Sequence, residues 1–219
     1  MLGSKYWISH PTVDLGSVRF MLNLDMVGRL DPKNGKLTFT AIGMGHRDIA
    51  DAISIAPDGL HVEADRGKSI FASASDHAPY FEKGMPTCFL FTGIHPDYHR
   101  PSDTVDKMNW DGLAIITRYA QALATEYSTV NELPKFKLRG DFGAVMVNGK
   151  IAKVWRAAQG GAAEAAGIMQ GDEITQIGSH PVNDPKGLEK ALDSYDQGDA
   201  IKVKLVRGGK EMETEVVLK

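Results

Sequence analysis

The sequence predicts an α/β layer domain over residues 1–130 and a small, mostly β domain over residues 139–219. Three observations predict it. Upstream, apolar residues alternate at strand spacing and then recur at helical spacing. Downstream, short alternating runs are separated by Asn148–Gly149 and Gly208–Gly209, which are two-residue turn signals. Between the two, the stretch STVNELPKFKL after Tyr127 has neither period and contains Pro134, so residues 131–138 read as a linker.

In chain order, Ser4–Ser9 is helix-like and stops at His10–Pro11. Val18, Phe20, Leu22 and Leu24 alternate as a first strand, and Met21 fills its second face, which predicts a buried position in a helix-covered sheet. After the turn Asp31–Gly35, Leu37, Phe39 and Ala41 repeat the alternation. Asp48–Ile55 reads as a short helix with Ile49, Ala52 and Ile53 on one face. Thr87–Phe91 is a third strand closed by Gly93, and Cys88 within it is a small buried hydrophobe. Leu113, Ile116, Ala120, Leu123 and Tyr127 mark a long amphipathic helix. So few strands, with none before the opening helix, make a poor stand-alone core, and the domain reads as the second half of a larger one.

Downstream, Phe142–Val147 and Ile151–Trp155 should form a hairpin around Asn148–Gly149. Asp184 caps, and Pro185 opens, a helix through Leu188, Ala191 and Leu192. Ile201, Val203 and Leu205 should pair with Thr214–Leu218 across Gly208–Gly209.

Composition narrows the function classes. With 42% hydrophobic and 24% charged residues the chain is neither disordered nor fibrous. A net charge of -3 offers no basic field for nucleic acid. No apolar run reaches the roughly 18–20 residues that cross a bilayer, and Met1–Ser4 does not begin a signal peptide. One cysteine excludes an internal disulfide and a zinc site built on cysteine pairs. H-E-x-x-H, G-x-S-x-G and phosphate-loop motifs are absent, and Gly43–Met44–Gly45 reads as a turn.

Six of the seven histidines precede residue 100. Asp25 stands where the first strand stops, and Gly93–Asp103, with His95 and His99, follows the third strand into the equivalent loop. Ligands of open α/β sheets bind beyond the carboxyl ends of strands, and a carboxylate with imidazoles offers donors that zinc accepts. Taken alone, an aspartate ending a strand is more often a turn or cap residue than a ligand, and so Asp25 reads by spacing. His10, His46 and His61 lack paired spacing and are expected at the surface, and Met21, Met26 and Met44 are expected as core filler.

Asn23–Gly28, Ser75–Phe81, Gly84–Pro86, Phe91–Gly93 and Asp97–Thr104, in that order, resemble the closing part of M28-type zinc aminopeptidases. The resemblance implies a partial aminopeptidase-type mixed sheet with flanking helices, two zinc ions and a peptide substrate. It implies that Asp25 binds one zinc, His99 the other, and that the Tyr98 phenol donates to the tetrahedral oxyanion. Asp76 and His77 would orient a ligand or line the substrate cleft, with a helix-capping role for Ser75 or Asp76 as the alternative. His95 would stand behind a metal ligand; Asp103 would hydrogen-bond His99 or cap the next turn. An earlier histidine, a bridging aspartate and the Glu–Glu pair of the family have no counterpart here, and Met1–Ser4 matches the segment just after that pair. The chain alone is therefore expected to lack the catalytic base and several ligands, and to be inactive by itself. The family's habit implies a periplasmic or extracellular location.

Gly160–Ile174, continuing through Gly178 and Pro181–Val182, resembles bacterial PDZ domains. Such domains bind peptides by strand addition and capture a terminal carboxylate on backbone N–H groups. The resemblance places that loop at Asp141, Phe142 and Gly143, where the Asp141 carboxylate would sit badly beside another carboxylate. A packing module steadying the first domain is the alternative. Two rival functions remain at this level: a non-catalytic PDZ peptide-binding protein, and a glutaminyl-cyclase-like relative, which the Tyr98–Asp103 string fits less well than a hydrolase.

Overall fold

A computed structural model describes residues 1–66, 75–130 and 134–219. Residues 131–133 of the expected linker lie outside the described residues. The chain divides into two compact units, Met1–Phe136 and Lys137–Lys219, each with its own core.

The first unit is built on a four-stranded mixed sheet of β1 (Met21–Leu24), β2 (Lys36–Ile42), β3 (His61–Asp65) and β4 (Thr87–Phe91), in the order β1-β4-β2-β3. β1 runs parallel to β4, β4 antiparallel to β2, and β2 parallel to β3. Among the described residues, four α-helices accompany it: α1 (Leu2–Ser9), α2 (His46–Ser54), α3 (Ala78–Phe81) and α4 (Trp110–Thr129). The period of two sends Leu37, Phe39, Cys88 and Leu90 to one face, where Ile49 of α2 and Ile116, Tyr119 and Leu123 of α4 close the core. The buried Tyr119 hydroxyl donates to the Ala52 carbonyl, which fastens α4 to α2. Phe89 and Phe91 face the other way, and the fully buried His77 ring stacks on Phe89. Every residue of β4 is buried, so its continuous apolar run reports a strand covered on both faces.

Two expectations change. β1 is shorter than Val18–Leu24 and, among the described strands, lies at the sheet edge, half-buried with Leu24 exposed. Alternation reports which face a side chain takes, not how many strands flank the backbone, so it did not distinguish edge from centre. β3, with the text HVEAD, and the four-residue α3 carry no periodic signal and were not anticipated. His10 and His61 are exposed, whereas His46 opens α2 half-buried. Phe136, expected in the linker, packs its ring against Phe81 at 5.7 Å.

The second unit pairs β5 (Ala144–Met146) with β6 (Val154–Ala157), and β7 (Glu173–Ile177), β8 (His180–Pro181), β9 (Ala200–Arg207) and β10 (Lys210–Val217) in the order β10-β9-β7-β8. α5 (Ala162–Ala165) and α6 (Pro185–Leu192) complete it. The hairpin at Gly208–Gly209 forms as expected: both glycines have positive φ, 57° and 81°, the conformation a two-residue turn needs to match strand twist. α6 also starts as expected, with the Asp184 carboxylate accepting from the Gly187 N–H at 2.6 Å. The first hairpin does not close on Asn148–Gly149. Its ladder ends at Met146 opposite Val154, after a bulge at Val145, and a wider loop carries the turn.

The buried Asp172 holds this unit's sharpest electrostatic constraint. Arg207 reaches both of its oxygens at 2.7 Å, through Nε and Nη2, and the Met169 N–H adds a third bond at 2.9 Å. Burial pushes the carboxyl up, but the Arg207 hydrogen bonds and charge, with Met169, hold it below the usual range.

Because the second core is self-contained, residues 137–219 are expected to unfold cooperatively when expressed alone, which urea titration by circular dichroism checks. In that fragment Arg207→Met leaves a buried carboxylate unpaired and is expected to cost about 3 kcal/mol. The parent's Asp172 is depressed, so its contribution is complete above the unfolded value near pH 4 and fades as pH falls through the lower folded value. Without Arg207, burial outweighs the remaining Met169 hydrogen bond and the dependence should reverse, with acidification recovering stability.

Candidate active site

Parallel pairing brings the carboxyl ends of β1 and β4 out side by side. Asp25, the first residue past β1, donates its N–H to the Leu90 carbonyl at 3.3 Å and is exposed. Its side chain is oriented from behind. The Ser75 hydroxyl donates to Asp25 Oδ2 at 2.8 Å, and the Asn23 amide donates to Ser75 Oγ at 2.9 Å. The same amide nitrogen lies 3.3 Å from His77 Nδ1. Asn23 and Asp25 point to the same side of the strand, two residues apart, which is why one network reaches both.

Met26, expected as core filler, instead takes the left-handed conformation with φ 56°, and His99 takes it with φ 55°. They are the two non-glycine residues with positive φ among the described residues. Each costs about 1–2 kcal/mol, and such strain gathers at functional sites. The loop bases are stapled together by the Thr92 hydroxyl, which donates to the Met26 carbonyl.

Beyond Gly93, with φ 100°, the chain coils in successive turns: Tyr98 N–H to His95 O, Arg100 N–H to Asp97 O, and Asp103 N–H to Arg100 O, at 2.9–3.0 Å. Tyr98 and His99 project from it exposed, their rings stacked at 3.9 Å. Arg29, from the turn after β1, reaches Asp97 at 3.4 Å and binds Asp103 more closely. Lys107 takes the other Asp97 oxygen at 2.7 Å. Lys107, and after it the Ser102 hydroxyl, hold the Asp97 carboxyl down at about 2. The Asn109 N–H bonds Gly28 O and its amide bonds Leu30 O, which fixes the start of α4 to the same turn.

The expected site residues thus separate. Asp25, Tyr98 and His99 share one end of the sheet. Asp103 is engaged by Arg29 and lies 3.8 Å from His95 Nε2, with no bond to His99 among the described residues. His95 Nδ1 is buried without a partner among the described residues, beside a cavity of about 340 Å³ that Met26, Arg29, Asp103 and Met108 also line. His77 cannot line an open cleft because it is buried beneath the sheet. Asp76 is exposed, and the amine of Met1, followed by the Ser4 hydroxyl, draws its carboxyl below the usual range. It does not cap α3, whose preceding residue His77 makes no side-chain cap bond. Asn23, Ser75, Thr92, Arg29 and Asp97 acquire roles that sequence reading did not assign. All but Arg29 lay inside the quoted motifs, but only a fold shows what each of them touches.

Asp25 and His99 suit zinc as donors. One Asp25 oxygen is held by Ser75, while the other, and both His99 nitrogens, have no hydrogen-bond partner among the described residues. With one group to each of two ions, they would supply a single donor of each tetrahedral set.

In the second unit, the Asp141 N–H donates to the Lys219 carbonyl at 2.7 Å. The Gly143 N–H donates to Asp141's own carboxylate at 2.8 Å. Phe142 is buried in the core. Two backbone donors of the expected peptide loop are therefore already engaged within the chain.

The depressed Asp97 gives a pH expectation. Its ion pairs order the Tyr98–His99 loop fully above the unfolded value near pH 4, and the ordering is lost as pH falls through about 2. Asp97→Asn should loosen the loop at neutral pH and remove that acid dependence, read by NMR amide exchange of residues 95–103.

Comparison with known proteins adds an independent line. The peptidase family M28 model matches residues 1–124 and the PDZ domain model residues 137–218. The aminopeptidase LapA of Legionella pneumophila is 22% identical, over 59% of this chain and 36% of its own, with a TM-score of 0.48. The aminopeptidase from Aneurinibacillus sp. strain AM-1 is 26% identical, over 57% of this chain and 30% of its own, with a TM-score of 0.45. The HtrA3 PDZ domain bound to a phage-derived ligand (FGRWV) is 15% identical, over 38% of this chain and 85% of its own, with a TM-score of 0.30. The chain thus spans 36% and 30% of the lengths of those two aminopeptidases. No curated protein matches the sequence. With the zinc-dependent peptidase model covering more than half of the 219 residues, the chain belongs to peptidase family M28, and a PDZ domain follows its peptidase part.

Proposed function

We propose that the chain supplies the closing part of a two-zinc aminopeptidase that removes N-terminal residues from peptides, acting in the periplasm or outside the cell. The observation that carries this reading is the coincidence of the two left-handed non-glycine residues with the two motif positions, Met26 beside Asp25 and His99 itself. Backbone strain kept at both, and stapled by Thr92, is what positioning two ligand groups on adjacent strand ends requires.

Asp25 and His99 would hold the metals, one each. Bound zinc would supply an activated water and polarise the scissile carbonyl. This chain's own residues orient and stabilise. Ser75 and Asn23 keep the Asp25 carboxylate from rotating, which leaves Oδ1 directed to a ligand. The Tyr98 phenol donates to the oxygen on which charge develops. Fixed by stacking on His99, it loses little freedom as the charge forms. The carboxylates nearest in the loop, Asp97 and Asp103, are engaged by Arg29 and Lys107, so a base from outside this set would take the nucleophile's proton. Peptides would also be the ligands of the PDZ unit. The engagement of the Gly143 N–H by Asp141 favours an internal segment over a free C-terminus.

Zinc titration by calorimetry with an aminoacyl-nitroanilide assay tests the proposal. Weak binding of fewer than two zinc ions is expected, abolished by Asp25→Ala or His99→Ala, with no turnover by the chain alone. Tight binding of two zinc ions would show that the donor set is already complete, and binding unaffected by both substitutions would remove the proposed site. Ser75→Ala should weaken zinc binding about tenfold and lower the melting temperature only slightly, since Asp25 loses its orienting donor and the Asn23 amide loses one acceptor.

A further inference from the structure

We propose that Arg29 is a positioning residue that locks the Tyr98–His99 loop to the Asp25 strand end; the proposal rests on the zinc reading above. Arg29 stands four residues after Asp25, in the turn Val27–Arg29. Its own footing is fixed, because Asn109 bonds the carbonyls on either side of it, at Gly28 and Leu30. Its side chain is only 18% exposed, and it crosses from the β1 end to the loop after β4. There it binds Asp97 and Asp103, which flank the Tyr98–His99 pair in sequence.

An anchor on each flank fixes a segment in a way that one anchor cannot. Asp97 has a second cation in Lys107, whereas Asp103 has Arg29 and, at 3.8 Å, His95. Arg29 alone therefore joins both flanks to the strand that bears the other ligand. A planar guanidinium, always charged and presenting several donors in a fixed fork, can serve two carboxylates at once. The clamp also explains how the exposed His99 keeps its left-handed backbone: the carboxylates on either side of it in sequence are held, so the loop cannot shift to release the strain. Asp103, which the family resemblance would place against His99, acts on it through this clamp instead.

The full chain and its variants Arg29→Met and Arg29→Lys provide the test, with Zn2+ as the probe. In the metal-free chain, Arg29→Met should raise amide exchange at Tyr98, Arg100 and Asp103 at least tenfold, while the amides of α4 and of residues 137–219 stay protected. Zn2+ affinity should fall about 10- to 100-fold, the visible spectrum of the Co2+-loaded chain should change, and Arg29→Lys should recover part of each. Unchanged exchange at the three amides in Arg29→Met would overturn the clamp. Raised exchange with unchanged Zn2+ affinity would overturn its link to the metal. If the parent binds no Zn2+, the zinc reading itself fails, and the exchange measurement still decides whether Arg29 holds the loop. Should Arg29→Met fail to fold, Asp103→Asn removes the same contact from the other side and must give the same exchange pattern.

Discussion

Parallel pairing of Met21–Leu24 with Thr87–Phe91 is the constraint on which the first unit's chemistry depends. Two parallel neighbours must release their chains at the same end of the sheet. Asp25 and the Gly93–Asp103 loop therefore emerge together although much of the domain separates them in sequence. Everything else at that end refines this placement: the Thr92 staple, the Asn109 bonds that moor α4, and the charges that bracket Tyr98 and His99. An antiparallel β1 would have sent Asp25 to the opposite end.

The polar groups around the site divide into those that work from behind and those that face outward. Asn23, Ser75 and the buried His77 ring form a network whose last member is the outward-facing Asp25 carboxylate. A buried polar group must be paired, and pairing in series fixes the direction of the final oxygen. The left-handed Met26 and His99 are affordable only because such neighbours over-determine them. Strain and hydrogen bonding are thus two sides of one arrangement, in which the groups that touch a ligand are held by groups that do not.

The second unit makes its own use of buried charge. Asp172 is tied to Arg207 at the end of β9, so the turn before β7 and the Gly208–Gly209 hairpin share one fixed point. At its first loop, Asp141 pairs with the chain end through its backbone and caps Gly143 with its side chain. The Asp141 carboxylate is thus already taken up by the chain's own Gly143 N–H.

Much of this was legible in the residues alone. The continuous apolar run of β4, the helical spacing of α4, the Asp184–Pro185 helix start and the Gly208–Gly209 turn are local patterns, and local patterns survive without a fold. So do the motif strings that identify the family and mark Asp25, Tyr98 and His99. What sequence could not carry was which side chains meet. Ser75 on Asp25, Arg29 between Asp97 and Asp103, and His77 beneath Phe89 are contacts between segments far apart in the chain, and β1's edge position depends on which strand lies beside it. The sequence by itself determined most of the elements and the family. Only the tertiary structure decided how Asp25, Tyr98 and His99 are aimed and held, because orientation comes from neighbours that strand pairing brings together and no spacing along the chain encodes.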